Sequence, residues 1–134
     1  KPLAIYVAAA GKLVEEKEPN DGFKVAQSAA SGFSISGVLS QAADVDVFKV
    51  TAKASQKIRV EVIAAQVGSI LDGSVTVYDS KGAITASNDD TVGRDPALTQ
   101  KVAADGDYFI ALTCVNELPA KTSAPYVIKV SIDP

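Results

Sequence analysis

The chain has 134 residues, of which 47% are apolar and 22% are charged, and its net charge at pH 7 is −3. This length and composition are typical of one globular domain, and no apolar run approaches the roughly 20 residues that a membrane-spanning helix requires. The negative charge argues against a nucleic-acid-binding surface, which depends on clustered Lys and Arg.

The first thirty residues differ in character from the rest. Residues 3–7 can form a leading strand, or they can belong to a linker from a preceding domain, so we separate residues 1–14 from a domain over residues 15–134. Residues 15–21 are strongly acidic. Residues 23–30 are predicted to form one or two helical turns, with Asn20 or Asp21 as the N-cap.

From residue 33 onward the apolar pattern has a period of two, which predicts half-buried strands. Glycine-containing turns at 72–73, 79–82 and 104–106 separate several of these strands. The fold class is therefore predicted as all-β, an antiparallel β-sandwich of the jelly-roll kind with about eight to nine strands and a short N-terminal helical turn. The eight predicted strands cover residues 33–39, 46–50, 57–62, 74–78, 83–87, 97–102, 107–114 and 126–132.

The acidic residues near the N-terminus suggest a calcium site. Glu16 and Glu18 lie two positions apart before Pro19, which favours an extended backbone, so both carboxylates project to one side. Calcium needs about six to eight oxygen ligands. The candidate ligands are Glu16, Glu18, Asn20, Asp21, Asp44 and Asp46. A solvated linker followed by an ordinary strand start explains the same residues.

A second acidic group lies on later loops. Its members are Asp72, Asn88, Asp89, Asp90 and Asp95, and the first four are weaker candidates for a second cation. The alternative is that these side chains form Asx turns and keep strand edges soluble. Tyr78, Tyr108 and Tyr126 can likewise form a ligand platform or belong to the core or rim of the sandwich.

The chain contains no histidine. This removes Ser-His-Asp and Cys-His nucleophile pairs together with His-containing zinc sites. A pair of carboxylates acting on a sugar stays open, although the chain has no tryptophan to form an aromatic platform. The single cysteine, Cys114, excludes an internal disulfide and is interpreted as a small core residue. We predict that the chain is not an enzyme.

The order of these motifs resembles the bacterial pre-peptidase C-terminal domains, which include the collagen-binding domains of clostridial collagenases. The resemblance covers about residues 15–132. It is carried by the acidic segment Glu16-Lys17-Glu18-Pro19-Asn20-Asp21, the Asp44-Val45-Asp46-Val47-Phe48 strand start, Asp72 with the hairpin Val77-Tyr78-Asp79-Ser80-Lys81-Gly82, Asn88-Asp89-Asp90, Gly106-Asp107-Tyr108-Phe109, and Tyr126-Val127-Ile128-Lys129-Val130.

The resemblance implies a jelly-roll domain attached to secreted bacterial proteins, in which calcium lies between the acidic segment and the Asp-x-Asp strand. The six candidate ligands would inherit these roles. The chain departs from the collagen-binding members at Val47, where they carry an aromatic residue, and it has only four tyrosines. Collagen binding is therefore not implied.

These observations predict a secreted or cell-surface bacterial accessory domain that is stabilised by Ca²⁺ and targets its parent protein to a polymeric substrate, a protein or a polysaccharide. Its expected partners are adjacent domains of a larger secreted protein, without nucleic acid or a membrane span. The alternative is a structural spacer or removable pro-segment that aids export or folding and binds no substrate.

Overall fold

A computed structural model describes residues 12–15, 22, 26–28, 33–39, 45–65, 69, 71–89, 95–114 and 124–134. The strands within these ranges form two five-stranded sheets. The first sheet has the order β1-β3-β10-β5-β8 and the second has the order β2-β4-β9-β6-β7. The strands are β1 (Lys12–Glu15), β2 (Gln27–Ser28), β3 (Phe33–Leu39), β4 (Asp46–Ala52), β5 (Lys57–Ile63), β6 (Gly73–Tyr78), β7 (Ile84–Asn88), β8 (Ala97–Lys101), β9 (Gly106–Cys114) and β10 (Ala124–Asp133).

The core lies between the two sheets and is built by the period-two pattern of the strands. In β5, Ile58, Val60 and Val62 are buried while Lys57 and Arg59 are exposed. Similar alternation in β10 adds to the same side of the core, and alternation in β4, β6 and β9 fills the other side. Each large apolar side chain that is buried in this way contributes about 1.5–3 kcal/mol. Burial of alternate residues therefore holds the sheets face to face.

The predicted sandwich and all eight of its predicted strands are confirmed. The strand over residues 33–39 has the predicted bounds, and the others begin or end within two residues of the prediction. Cys114 is half-buried and packs against the core, as the sequence indicated. None of the described residues forms a helix that is long and apolar enough to cross a membrane.

The N-terminal part contains two short parallel strands that the sequence did not predict. β1 pairs with residues 33–36 of β3, and β2 pairs with Phe48 and Lys49 of β4. The prediction of helical turns over residues 23–30 is wrong at Gln27 and Ser28, because pairing with the edge of β4 holds their backbone extended. Residues 23–25 and 29–30 lie outside the described residues.

The proposed division between residues 14 and 15 falls inside β1, which joins the first sheet through both of its parts. The separation of residues 1–14 from the domain stays a prediction, because residues 1–11 lie outside the described ranges. The leading strand predicted over residues 3–7 lies outside the described residues.

Tight turns gather at one end of the sandwich, which we call the turn end. Between β4 and β5, the N–H of Gln56 donates to the carbonyl of Lys53 at 3.0 Å, and Ser55 has a φ of 76°. Between β6 and β7, Asp79 Oδ1 accepts hydrogen bonds from the N–H groups of Lys81 and Ala83, and Gly82 has a φ of 85°. The predicted turn at 79–82 is confirmed, and Gly82 supplies its positive φ.

Candidate functional site

Asp46 is a buried carboxylate in the space between the two sheets. It lies at the start of β4 and shares its strand face with Phe48 and Val50, which belong to the core. Its side chain is 0% exposed, although a desolvated carboxylate is costly. Strand alternation places Asp46 there, because the same register that buries Phe48 also turns Asp46 inward.

Tyr126 supplies a hydrogen bond to this carboxylate from the opposite sheet. Its hydroxyl donates to Asp46 Oδ2, and its ring is fully buried in β10. The other carboxylate oxygen, Oδ1, is buried as well. The Tyr126 hydroxyl is a neutral donor, so its hydrogen bond satisfies one carboxylate oxygen and offsets part of the desolvation cost.

Asp46 is the one predicted ligand of the first calcium site whose structure is described. The other five, Glu16, Glu18, Asn20, Asp21 and Asp44, lie outside the described residues. Within the described ranges, no three acidic or cysteine side chains are grouped closely enough to hold a metal ion. The calcium site therefore stays a prediction. The donors in the predicted set are all oxygens, which suits a hard cation such as calcium.

Three of the four residues predicted for a second cation, Asp72, Asn88 and Asp89, lie at the same end of the sandwich as Asp46, which we call the acidic end. Asp46 pairs with Leu112 near the end of β9, and Gly73, which follows Asp72, pairs with Cys114. Asn88, the last residue of β7, lies at the same end of the sandwich, and the exposed Asp89 follows it. Asp90 lies outside the described residues. The fold thus brings Asp46, Asp72, Asn88 and Asp89 to one end.

Asn88 has a structural role at the acidic end. Its Oδ1 accepts a hydrogen bond from the N–H of Ala97 at 3.3 Å, which links β7 of the second sheet to β8 of the first. Thr85 adds a second link between these strands, since its hydroxyl lies 2.9 Å from Gln100 Oε1. These contacts fit the alternative in which the polar loop residues stabilise strand edges.

Asp95 is buried and binds backbone amides. It is 1% exposed, and its two carboxylate oxygens accept hydrogen bonds from the N–H groups of Ala64 at 3.0 Å and Ala65 at 2.8 Å. The carboxylate therefore caps the chain where β5 ends. In the sequence Asp95 belongs to the second acidic group, and nothing in the local sequence shows that its partners lie about thirty residues away.

The tyrosines fall into two classes. Tyr108 and Tyr126 are buried in the core, and the Tyr108 hydroxyl donates to the carbonyl of Ala104 at 2.8 Å. Tyr78 is half-buried on the outward face of the second sheet, since its neighbour Val77 points into the core. The interpretation as core residues is confirmed for Tyr108 and Tyr126.

Tyr78 belongs to a row of side chains that crosses the outward face of the second sheet. It pairs with Ile84 on one side and with Phe109 on the other, and Lys49 pairs with Phe109. Ile84 is 66% exposed and is the one exposed large hydrophobic residue in the described ranges. We call Ile84, Tyr78 and Phe109 the outward apolar row. A surface of this kind often marks a contact with another molecule.

Comparison with known proteins gives a family and a fold. The sequence profile described as "Bacterial pre-peptidase C-terminal domain" matches residues 44–113. A probable subtilase-type serine protease of Deinococcus radiodurans is 34% identical over 108 residues, which cover 78% of this chain and 15% of that protein. The chain thus spans a small part of this relative.

Two solved structures share the sandwich. The pre-peptidase C-terminal domain of a collagenase from Bacillus anthracis matches with a TM-score of 0.64 and 14% identity, over 87% of this chain and 100% of that one. The Aeromonas hydrophila protein PliG, a periplasmic inhibitor of g-type lysozyme, matches with a TM-score of 0.55 and 21% identity, over 92% and 99% of the two chains. At these identities the matches show a common fold.

Proposed function

Because the chain belongs to the family of bacterial pre-peptidase C-terminal domains, we propose that it is a non-catalytic accessory domain of a larger secreted or cell-surface bacterial protein. The similar segment of the Deinococcus radiodurans protease makes up 15% of that protein, which supports a role as one part of a longer chain. The lack of histidine in the sequence supports a role other than hydrolysis.

The domain targets its parent protein to a polymeric substrate, a protein or a polysaccharide. The observation that carries this proposal is the outward apolar row. Two aromatic rings and an isoleucine lie side by side on three adjacent strands, and strands are spaced by about 4.8 Å, so the row with Lys49 spans roughly 14 Å of a sheet face. An extended polymer can lie across such a row and bury apolar surface against it.

Binding to insoluble polymers tests this role. The domain is incubated with collagen, chitin, cellulose and peptidoglycan, and the bound fraction is measured for the wild type and for a Tyr78→Ala, Phe109→Ala double variant. We expect the wild type to bind at least one polymer and the double variant to lose most of that binding. A Lys53→Gln variant, altered in the exposed turn between β4 and β5, is the matched control and should bind normally.

Failure of the wild type to bind any of the four polymers would contradict targeting and favour the structural spacer or pro-segment. Equal binding by the wild type and the double variant would place the contact elsewhere on the domain.

Calcium has a structural role in this proposal. Asp46 would be one ligand, and Glu16, Glu18, Asn20, Asp21 and Asp44 would supply the others. The burial of Asp46 supports this, because a cation at the acidic end would offset the cost of a desolvated carboxylate. The ion would attach the acidic N-terminal segment to the start of β4.

A further inference from the structure

The outward face of the first sheet carries a group of positive charges near the turn end. Lys57 of β5 and Lys101 of β8 lie directly opposite each other, and both are exposed. Arg59 lies two residues further along β5 on the same face, with 61% of its side chain exposed. We call Lys57, Arg59 and Lys101 the cationic cluster. It lies on a chain whose net charge is −3.

The acidic residues on this face neutralise the cluster only in part. Asp133 pairs with Lys57 across β5 and β10, and its carboxylate lies 3.1 Å from the Arg59 guanidinium. Glu61 is opposite Lys129 one step further from the turn end. The cluster and Asp133 together hold three positive charges and one negative charge. A guanidinium has five N–H donors, so the bond to Asp133 leaves several of them available.

The pairing of two lysines requires an explanation, because like charges directly opposite each other on a sheet are destabilising. Lysine on an edge strand often prevents pairing with another chain, which would explain Lys101 on β8. It does not explain Lys57, since β5 is an interior strand between β10 and β8. The placement of both lysines on one face is the feature that points to a ligand.

We propose that the cationic cluster binds a polysaccharide that carries carboxylate groups. Charges on neighbouring strands are about 4.8 Å apart and those two residues apart on one strand are about 6.7 Å apart, so the cluster presents a flat group of cations. A guanidinium binds a planar carboxylate through two parallel hydrogen bonds. Thr99 and Ser131 lie on either side of Arg59 and add hydroxyl groups that can bind the hydroxyls of a sugar.

The net charge of the chain favours this ligand over densely charged polyanions. A protein of net charge −3 repels every polyanion at long range, and this repulsion is strongest for DNA, which carries one charge per roughly 1.7 Å of its axis. A polysaccharide with one carboxylate per sugar has more widely spaced charges, so short-range contacts to individual side chains can outweigh the weaker repulsion. The cationic cluster lies on the first sheet and the outward apolar row lies on the second sheet. Loss of binding at one of these surfaces therefore leaves binding at the other unaffected.

Immobilised polygalacturonate tests the proposal, with neutral dextran as the control polymer and chelator present to exclude bridging by metal ions. We expect the wild type to bind polygalacturonate at low salt, to release it as salt is raised, and to ignore dextran. A Lys57→Gln, Lys101→Gln variant should bind about tenfold more weakly, as expected for the loss of two partly exposed charge contacts. Thermal unfolding of both proteins verifies that the variant is folded.

The matched control is a Lys53→Gln, Lys81→Gln variant, which removes two exposed lysines from turns outside the cluster. It should bind like the wild type. The proposal is overturned if the wild type does not bind at low salt, if the control variant loses as much binding as the cluster variant, or if double-stranded DNA or anionic vesicles bind equally well. The proposal is also overturned if Lys101→Gln aggregates while Lys57→Gln binds like the wild type. That result would show that Lys101 serves to prevent pairing of the edge strand β8 with another chain.

Discussion

Tyr126 of the first sheet donates its hydroxyl hydrogen bond to Asp46 of the second sheet, so a polar contact crosses the apolar core. The two residues are 80 positions apart in the sequence. The contact fixes the position of β4 relative to β10 along the sandwich. It lies at the acidic end, where a cation is proposed.

Removal of this hydrogen bond should destabilise the domain. We expect Tyr126→Phe to lower the free energy of unfolding by about 2 kcal/mol, because Asp46 Oδ2 loses its hydrogen-bond donor inside the core. Urea denaturation in the presence of chelator measures the change. Tyr108→Phe is the matched control, since it removes a neutral bond to the Ala104 carbonyl and should cost about 1 kcal/mol. Equal losses in the two variants would show that the complete burial of Asp46 does not add to the cost of losing its donor.

Calcium should stabilise the folded domain through Asp46. A ligand that binds only the folded state adds about 2.7 kcal/mol at a hundred times its dissociation constant, so the Tm should rise when calcium replaces chelator. Asp46→Asn keeps an oxygen acceptor for Tyr126 but removes the charge, and it should abolish most of this rise. Asp107→Asn, at the turn end of the sandwich, should keep it.

Thermal scans with calcium, magnesium and chelator measure this response. An unchanged Tm in the wild type would contradict the calcium site, and an equal rise in Asp46→Asn would contradict the role of Asp46 as a ligand.

Removal of the Asp95 carboxylate should lower the free energy of unfolding more than removal of any exposed acidic side chain. Asp95→Ala leaves the N–H groups of Ala64 and Ala65 without their acceptors, and each buried unsatisfied donor costs roughly 1–3 kcal/mol. We expect a loss of about 3 kcal/mol in urea denaturation. Asp89→Ala should change stability by less than about 0.5 kcal/mol. A small effect of Asp95→Ala would mean that water replaces the carboxylate at this position.

Glycine at position 55 should stabilise the turn between β4 and β5. Ser55 has a φ of 76°, which is unfavourable for residues with a Cβ atom, and it occupies the third position of the turn closed by Gln56. Ser55→Gly should therefore raise the free energy of unfolding by about 0.5–1 kcal/mol. Gly82→Ala introduces the opposite change at a φ of 85° and should lower it. A lower Tm for Ser55→Gly would contradict this account.

The strands and the core were predictable because they depend on local alternation. The pattern that places Lys57 and Arg59 outward and Ile58 and Val60 inward is visible in the sequence itself. The short strands β1 and β2 were not predictable in this way. Two to four residues carry too little periodicity, and parallel pairing with β3 and β4 decides their conformation.

The candidate sites were predictable in part. Asp46 has the same strand parity as Phe48 and Val50, and this was a signal that its carboxylate points into the core. The partnership with Tyr126 and the binding of Asp95 to Ala64 and Ala65 depend on long-range contacts. The outward apolar row and the cationic cluster depend on strand register, which no single strand reveals.

The position of β10 in the middle of the first sheet has a consequence for the order of folding. β3 and β5 both pair with β10 and lie on either side of it, so they have no common neighbour until residues 124–133 are present. Closing such distant pairings is slow, because the loop entropy must be lost before the contacts form. We expect the first sheet to assemble only after β10 has been made, whereas every strand of the second sheet precedes β10 in the chain. Until β10 is present, the inward face of the second sheet has no complete partner sheet to cover it, so the core closes last.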